Sequence, residues 1–336
     1  MFKQISSADP KYLAATDILI GDMSDINYEF LLFNKPIILL ANEWLVKNFP
    51  DIGIKTDLNG LENAIKRSIE NPDEFKEQRK YWLSKTIYKP DGNSSDRVID
   101  TVIEYSHIKK PFMLLIHGDN EVLKTHIDPL YRAMKKRNIN GAKVSFFDSK
   151  LHSTIVGLVC ISGHNRLLKD IPCGYKVHLD HGVKGVGASA NFEIVSGQYK
   201  EMNYFPGVDL HITEGEISYE KTKKLLGPCK DRALMIGYPK ADVLLELNNN
   251  KNKISVCKEF GFESDKILIT YAPAGKYSYP FKQGASLSNK VIKKLLKIAL
   301  NNDDINVLVK LKYPLPSIFK KVLNKLLKLN IANCYK

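Results

Sequence analysis

Short apolar, β-branched runs alternate along the chain with longer stretches in which apolar residues recur every three or four positions. That alternation predicts an α/β protein whose helices cover parallel strands. The runs predict strands at Asp17–Ile20, Pro36–Ala41, Phe112–His117, Lys143–Asp148, Val156–Ile161, Lys176–His181, Leu210–Thr213, Ala233–Ile236, Lys266–Tyr271 and Asn306–Lys312. Helices are expected between most of them, among them Leu61–Glu70, Pro129–Arg137 and Ser288–Ile298. Two polar stretches break the pattern. Tyr88–Ser95 is rich in turn formers and leads into a helix expected at Asp96–Tyr105, while Asn248–Lys253 has no periodicity and reads as a hinge. They divide the chain into blocks of about 1–106, 108–247 and 254–336. The middle block is long enough for a complete α/β domain. Each outer block is short for a doubly wound sheet, and the two suit halves of one domain.

Composition narrows the class. The 336 residues allow two domains at roughly 150 residues each. A hydrophobic content of 44% excludes disorder. No apolar run approaches the ~18 residues of a membrane span. The opening residues Met1–Pro10 lack the apolar stretch of a signal peptide, so a cytoplasmic protein is expected. The five cysteines (Cys160, Cys173, Cys229, Cys257 and Cys334) show no CxxC spacing. They fit a reducing compartment better than a zinc site or a disulfide framework. The formal charge of +13 predicts an anionic partner: a nucleotide, a phosphate polymer, a nucleic acid or a lipid surface. Charge alone does not choose among these.

Chemistry-bearing residues gather where the predicted strands end, which is where open α/β sheets bind ligands. In Thr16–Phe30 a strand stops at Gly21-Asp22 and a helix is expected from Ser24 or Asp25. Ser24 would cap it, the free N–H groups of its first turn would hold an anion, and Glu29 would reach sugar hydroxyls. A plain strand–cap–helix junction has the same pattern. In Lys176–Ser189 a strand enters a turn containing Gly182, Gly185 and Gly187, where backbone N–H groups could approach a phosphate. The spacing is neither a Walker loop nor a dinucleotide fingerprint. His178 and Asp180 share one strand face and His181 takes the other, which argues against metal ligation. His181 suits a general base near neutral pH, or a structural histidine.

Three further strand ends carry weaker signals. Gly237–Asp242 sets Lys240 where it would meet a phosphate or merely close a turn. Ile269–Lys276 ends on small residues, Pro273 and Ala274 among them, that leave room for a ligand or form a structural turn. In Val307–Pro314, Lys310 and Lys312 share a strand face, which suits a diphosphate or a solvated edge. Beyond them, Ser317–Leu329 is basic and amphipathic, the pattern of a sheet-covering helix or of one lying on an anionic membrane.

Together these motifs resemble the CDP-glycerol glycerophosphotransferase family of teichoic-acid polymerases and primases. His181-Gly182 is similar to its His-Gly motif, and Gly237-Tyr-Pro-Lys-Ala-Asp242 to its Gly-Tyr-Pro-Arg-Asn-Asp. Tyr271-Ala-Pro-Ala274 resembles Tyr-Ala-Pro-Thr. Ala15–Asp25 resembles Ala-Asp-x-Leu-Ile-Thr-Asp-Tyr-Ser-Ser, followed by Asn34-Lys-Pro-Ile-Ile, and Asp91–Asp100 is similar to the family's closing helix. The resemblance implies a GT-B-like α/β fold, with two Rossmann-like domains whose parallel sheets face a cleft. Lys312 stands where the family has a second histidine, Asp25 where it has a second serine, and Lys240 where it has an arginine. The motif order also differs, since the family's last two motifs come first here. A permuted chain, whose outer blocks build one nucleotide-binding domain around the middle domain, would restore the order. A fragment spanning two tandem copies would do so too.

The resemblance implies transfer of a polyol phosphate, in the first instance glycerol phosphate, from a CDP-alcohol to a hydroxyl of a lipid-linked polyol-phosphate or glycan acceptor. His181 would be the base and Lys312 its catalytic partner. Asp22, Ser24, Asp25, Glu29, Gly182, Val183, Lys184, Lys240, Pro273, Ala274 and Lys310 would contact substrate. No metal or other cofactor is expected, and a peripheral position on the inner membrane face is. A GT-B glycosyltransferase, a UDP-sugar 2-epimerase-like enzyme and a non-catalytic nucleotide- or polymer-binding protein are the alternatives. Nucleic acid is not expected as a partner, because no recognisable binding module is present.

Overall fold

The computed structural model describes residues 1–5, 7, 9–22, 24–41, 43–117, 121–145, 158–162, 168, 173–179, 207–273 and 284–311. Its strands, in chain order, are β1 (Phe2–Ile5), β2 (Ile18–Gly21), β3 (Ile37–Leu40), β4 (Ile54–Thr56), β5 (Phe112–His117), β6 (Gly141–Ser145), β7 (Leu158–Ser162), β8 (Tyr175–Leu179), β9 (Leu210–Thr213), β10 (Ala233–Met235), β11 (Ile267–Tyr271) and β12 (Ile305–Lys310). The helices are α1 (Pro10–Ala15), α2 (Ile26–Phe30), α3 (Glu43–Asn48), α4 (Leu61–Glu70), α5 (Lys76–Thr86), α6 (Ser94–Ser106), α7 (Glu121–Lys136), α8 (Glu216–Leu226), α9 (Pro239–Leu247), α10 (Asn250–Phe260) and α11 (Gly284–Asn301). The strands form two six-stranded sheets, ordered β1-β12-β11-β2-β3-β4 and β10-β9-β8-β7-β5-β6. Every pairing is parallel. This is the α/β architecture expected of a GT-B-like chain with two Rossmann-like halves.

The first sheet takes strands from both ends of the chain. β1 lies against β12, with Phe2 opposite Val307 and Ile5 opposite Lys310. The Met1 amine donates to the Ile305 carbonyl. A parallel sheet is buried on both faces, so its strands read as continuous apolar runs whose alternate residues enter different cores. Ile18 and Ile20 pack with α4 and α11 through Leu61, Ile65, Val291 and Leu295. Leu19, between them, packs on the opposite face with Leu13, Tyr28 and Phe30. The second sheet behaves alike: Met113 and Leu115 meet α6 and α7, while Leu114 and Ile116 face Cys160, Leu168 and Val208.

Two helices cross between the halves. α6 follows strands of the first sheet, yet Val98, Ile99 and Val102 lie in the core of the second. α9 follows β10 of the second sheet, yet Ala241 and Leu244 lie in a core of the first.

The structure departs from the sequence expectations at several places. The segment read as a hinge is ordered: Asn249 accepts from the Asn252 N–H and caps α10, which anchors itself through buried Val256 and Cys257. Its polar first turn has no apolar period to reveal it. The helix expected to open at Pro129 opens at Glu121 and holds Pro129 inside. There a stripe of Ile127, Leu130 and Met134 is buried against the second sheet, and that packing offsets the hydrogen bond the proline removes. β1 and β4 are additional strands. Each lies at a sheet edge and spans four residues or fewer, too short for a pattern. Another departure lies at Ser24, within the site. Among the described residues, no helix is long and apolar enough to cross a membrane.

Candidate functional site

β2 ends at Gly21, and the chain then makes one tight turn before it becomes helical. The Asp22 carboxylate accepts the Ser24 N–H. The Asn27 carboxamide reaches back to the Asp22 and Ser24 carbonyls at 2.7 and 2.9 Å. A Cβ on Gly21 would run into the Asn27 carboxamide, which those two hydrogen bonds hold in place, so glycine leaves it room. This turn takes up the position at which Ser24 was expected to cap. Helix α2 begins at Ile26 with Asp25, not Ser24, at its cap position, and Asp25 makes no side-chain capping bond. α2 is five residues long, and its Asn27, Tyr28 and Glu29 N–H groups are taken up by the Ser24 and Asp25 carbonyls.

One turn along, Glu29 is buried and fully engaged. Lys240, at the start of α9, donates to both of its carboxylate oxygens at 2.9 and 2.8 Å. The Tyr238 hydroxyl donates to Oε1 at 2.6 Å, and the same hydroxyl lies 3.2 Å from His126 Nδ1 on α7. All four residues are buried. Burial, reinforced by the Glu29 carboxylate, pushes the Tyr238 phenol far above its ordinary range, so it stays protonated and donates. Each of the three elements follows the carboxyl end of a strand: α2 after β2, α9 after β10 and α7 after β5. Two residues expected to hold different parts of a donor, Glu29 and Lys240, are thus brought together as an ion pair.

The crossing segments meet beside this cluster. Asp242 of α9 accepts from the Ser94 and Ser95 N–H groups and from the Ser95 hydroxyl, at 3.0, 2.7 and 2.7 Å. It caps α6 from a distant part of the chain. Arg97 donates to the Ile236 and Lys89 carbonyls and forms a two-pronged pair with Asp91. Tyr88 donates its N–H to the Glu214 carbonyl. The turn-rich stretch expected as a linker is therefore a fastened strap.

The remaining candidates divide cleanly. Pro273 follows β11, and Lys310 closes β12. With Asp22, Ser24 and Asp25 they share one end of the adjacent strands β12, β11 and β2. His181, Gly182, Val183, Lys184, Ala274, Lys312 and the Ser317–Leu329 segment lie outside the described residues. A groove of about 280 Å³ runs between α1, α7 and α9. Its cations are already paired, Lys143 with Asp128 and Arg132 with Glu246.

Sequence reasoning gave no role to Tyr238 and Asp242, although both lie in the motif it quoted, and missed His126 and His211. His211 on β9 lies directly across from His178 on β8, their Nδ1 atoms 3.4 Å apart, and both rings are buried. Strand register was the missing signal. Among the described residues, no group of three metal-ligating side chains occurs.

No curated protein matches the chain. The family model for CDP-glycerol:poly(glycerophosphate) glycerophosphotransferase matches two segments, residues 3–104 and 194–325. The first holds Asp22, Ser24 and Glu29, and the second holds Tyr238, Lys240, Pro273 and Lys310; His181 lies between them. Because the matched segments span most of its length and meet at the Glu29–Lys240 pair, the chain belongs to the CDP-glycerol glycerophosphotransferase family.

Proposed function

We propose that the protein transfers glycerol phosphate, or another polyol phosphate, from a CDP-alcohol to a hydroxyl of a lipid-linked polyol-phosphate or glycan acceptor in teichoic-acid or capsule-like polymer synthesis. The family implies a transferase of this general type. The observation that carries the reading is that the family match takes in the motifs at both Asp22–Glu29 and Gly237–Asp242. The acceptor oxygen attacks the β-phosphorus and forms the new P–O bond. The bond to the bridging oxygen breaks, its electron pair leaves with CMP, and His181 takes the acceptor's proton. Asp22, Ser24 and Asp25 at the end of β2 face the donor, beside Pro273 and Ala274. Gly182, Val183 and Lys184 offer backbone donors. Lys310 and Lys312 offset developing charge on the phosphates. Glu29 and Lys240 shape the donor side as a pair, because each already neutralises the other. No step in this scheme calls on a metal or cofactor.

The chain works at the inner membrane face in this reading, with its net charge of +13 turned toward anionic lipid and polymer. Lys312, in place of the family's second histidine, favours one rival reading: a protein that binds the donor without turning it over. Thermal unfolding with CDP-glycerol, CDP-ribitol or a UDP-sugar tests the donor class, since a true donor binds the folded state and raises Tm further as its concentration climbs above Kd. A rise with CDP-alcohols alone is expected. A rise with UDP-sugars alone would overturn the assignment in favour of a sugar-nucleotide enzyme.

A further inference from the structure

We infer that Glu29, Tyr238, His126 and Lys240 form a positioning relay that sets the first-sheet half, with its donor motif, against the second-sheet half, the half whose sequence carries His181 two residues after β8. The proton order follows from chemistry. An ionised carboxylate only accepts, so the Tyr238 O–H is committed to Glu29, and its oxygen then receives the His126 Nδ1–H. Lys240 supplies the counter-charge, 10% and 8% being the exposures of the two ionised side chains. The relay runs from α2 through α9 to α7 and so ties both halves at one buried point. α2 follows directly on the Asp22–Asp25 turn. A shift of α2 relative to the second sheet therefore moves the donor motif relative to the base. Misplacement of about 1 Å costs on the order of 100-fold in rate.

The relay also gives a physical role to the cation at position 240. Its partner is a protein carboxylate, so either basic residue serves, and arginine, which the family motif carries there, would hold Glu29 through two parallel bonds.

Inter-half distances measured by pulsed electron resonance test the inference, with nitroxides carried on bioorthogonal side chains at positions 66 and 136, exposed sites on α4 and α7. The native cysteines then remain unlabelled. A single narrow distance is expected for the unsubstituted protein, with broadening of about twofold or more in Tyr238→Phe and Lys240→Met and a narrow distance again in Lys240→Arg. Tyr238→Phe removes one oxygen and keeps the ring's packing, so it carries the test if Lys240→Met does not fold. Unchanged widths in Tyr238→Phe overturn the relay. The kinetic arm rests on the proposed transferase reading. Tyr238→Phe should lower kcat about tenfold or more, within the range that misalignment produces, and leave the donor KM within about threefold. An unchanged kcat, or a raised KM alone, also overturns it. An unsubstituted protein that releases no CMP would count against the transferase reading, and the distance arm would still decide the relay.

Discussion

Lys240 and Glu29 show how a pair of opposite charges can be stable with almost no water around it. Removing either partner leaves the other uncompensated in a buried place, which costs about 3–5 kcal/mol. Lys240→Met is therefore expected to lower the unfolding free energy in urea by about 3 kcal/mol or more. Lys240→Arg should stay within about 1 kcal/mol of the starting protein, because charge and donors are kept. Gly237 is constrained differently. Its φ is +121°, and a Cβ there would lie 2.9 Å from the Ser94 hydroxyl oxygen and 3.0 Å from both an Arg97 nitrogen and the Tyr88 carbonyl. Those atoms belong to the strap between the halves, already fixed by hydrogen bonds. Gly237→Ala should destabilise by about 1–3 kcal/mol, measured the same way, with no loss of α/β content by circular dichroism. Lys240 and Glu29 were each legible in the sequence as a charged residue at a strand end; their pairing was not. The two lie 211 positions apart, and only the folded sheets bring them together.

At the scale of elements, the crossing of α6 and α9 is the feature most exposed to test. Asp242 stands in for a local cap, so Asp242→Ala should cost about 1–2 kcal/mol, the range of lost N-caps. It should also speed amide exchange most in the first turn of α6. The Asp91–Arg97 brace of the same strap responds to pH. Hydrogen bonding to Arg97 holds the Asp91 carboxyl below its ordinary range. The unfolded chain binds the proton more readily, so this brace adds stability above the ordinary carboxylate pKa and loses it as pH falls through the lowered value. Comparing urea midpoints of the parent and Asp91→Asn between pH 6 and 3 checks the sign: the difference should shrink on acidification. The apolar run Phe112–His117 and the alternating strand Leu210–Thr213 were legible residue for residue. α10 was not, because its first turn is asparagine and lysine and its cap is decided by a single side chain. β1 was not, because four edge residues become a strand only when β12 is present.

For the whole molecule, the first sheet joins strands from residues 2–56 with strands from 267–310. We propose that the chain is a reordered form of the family's domain sequence, which accounts for why each outer block reads as half a domain. A chain running from residue 108 to 336, followed through a flexible linker by 1–107, would present the motifs in family order. The new ends fall in residues 107–111, between α6 and β5, with Lys109 and Lys110 exposed. Such ends are tolerated where the backbone is exposed and lightly bonded. The reordered chain should unfold cooperatively within a few degrees of the parent Tm. Loss of cooperative unfolding would contradict a shared sheet as the stable unit. The family reaction itself is tested most directly by CMP release from CDP-glycerol in the presence of a polyol-phosphate acceptor, with the parent protein and His181→Ala side by side. The proposed mechanism predicts acceptor-dependent CMP release that falls by about 100-fold or more in His181→Ala, the range of a lost general base. Equal CMP release from both proteins, or none from the parent, would contradict it.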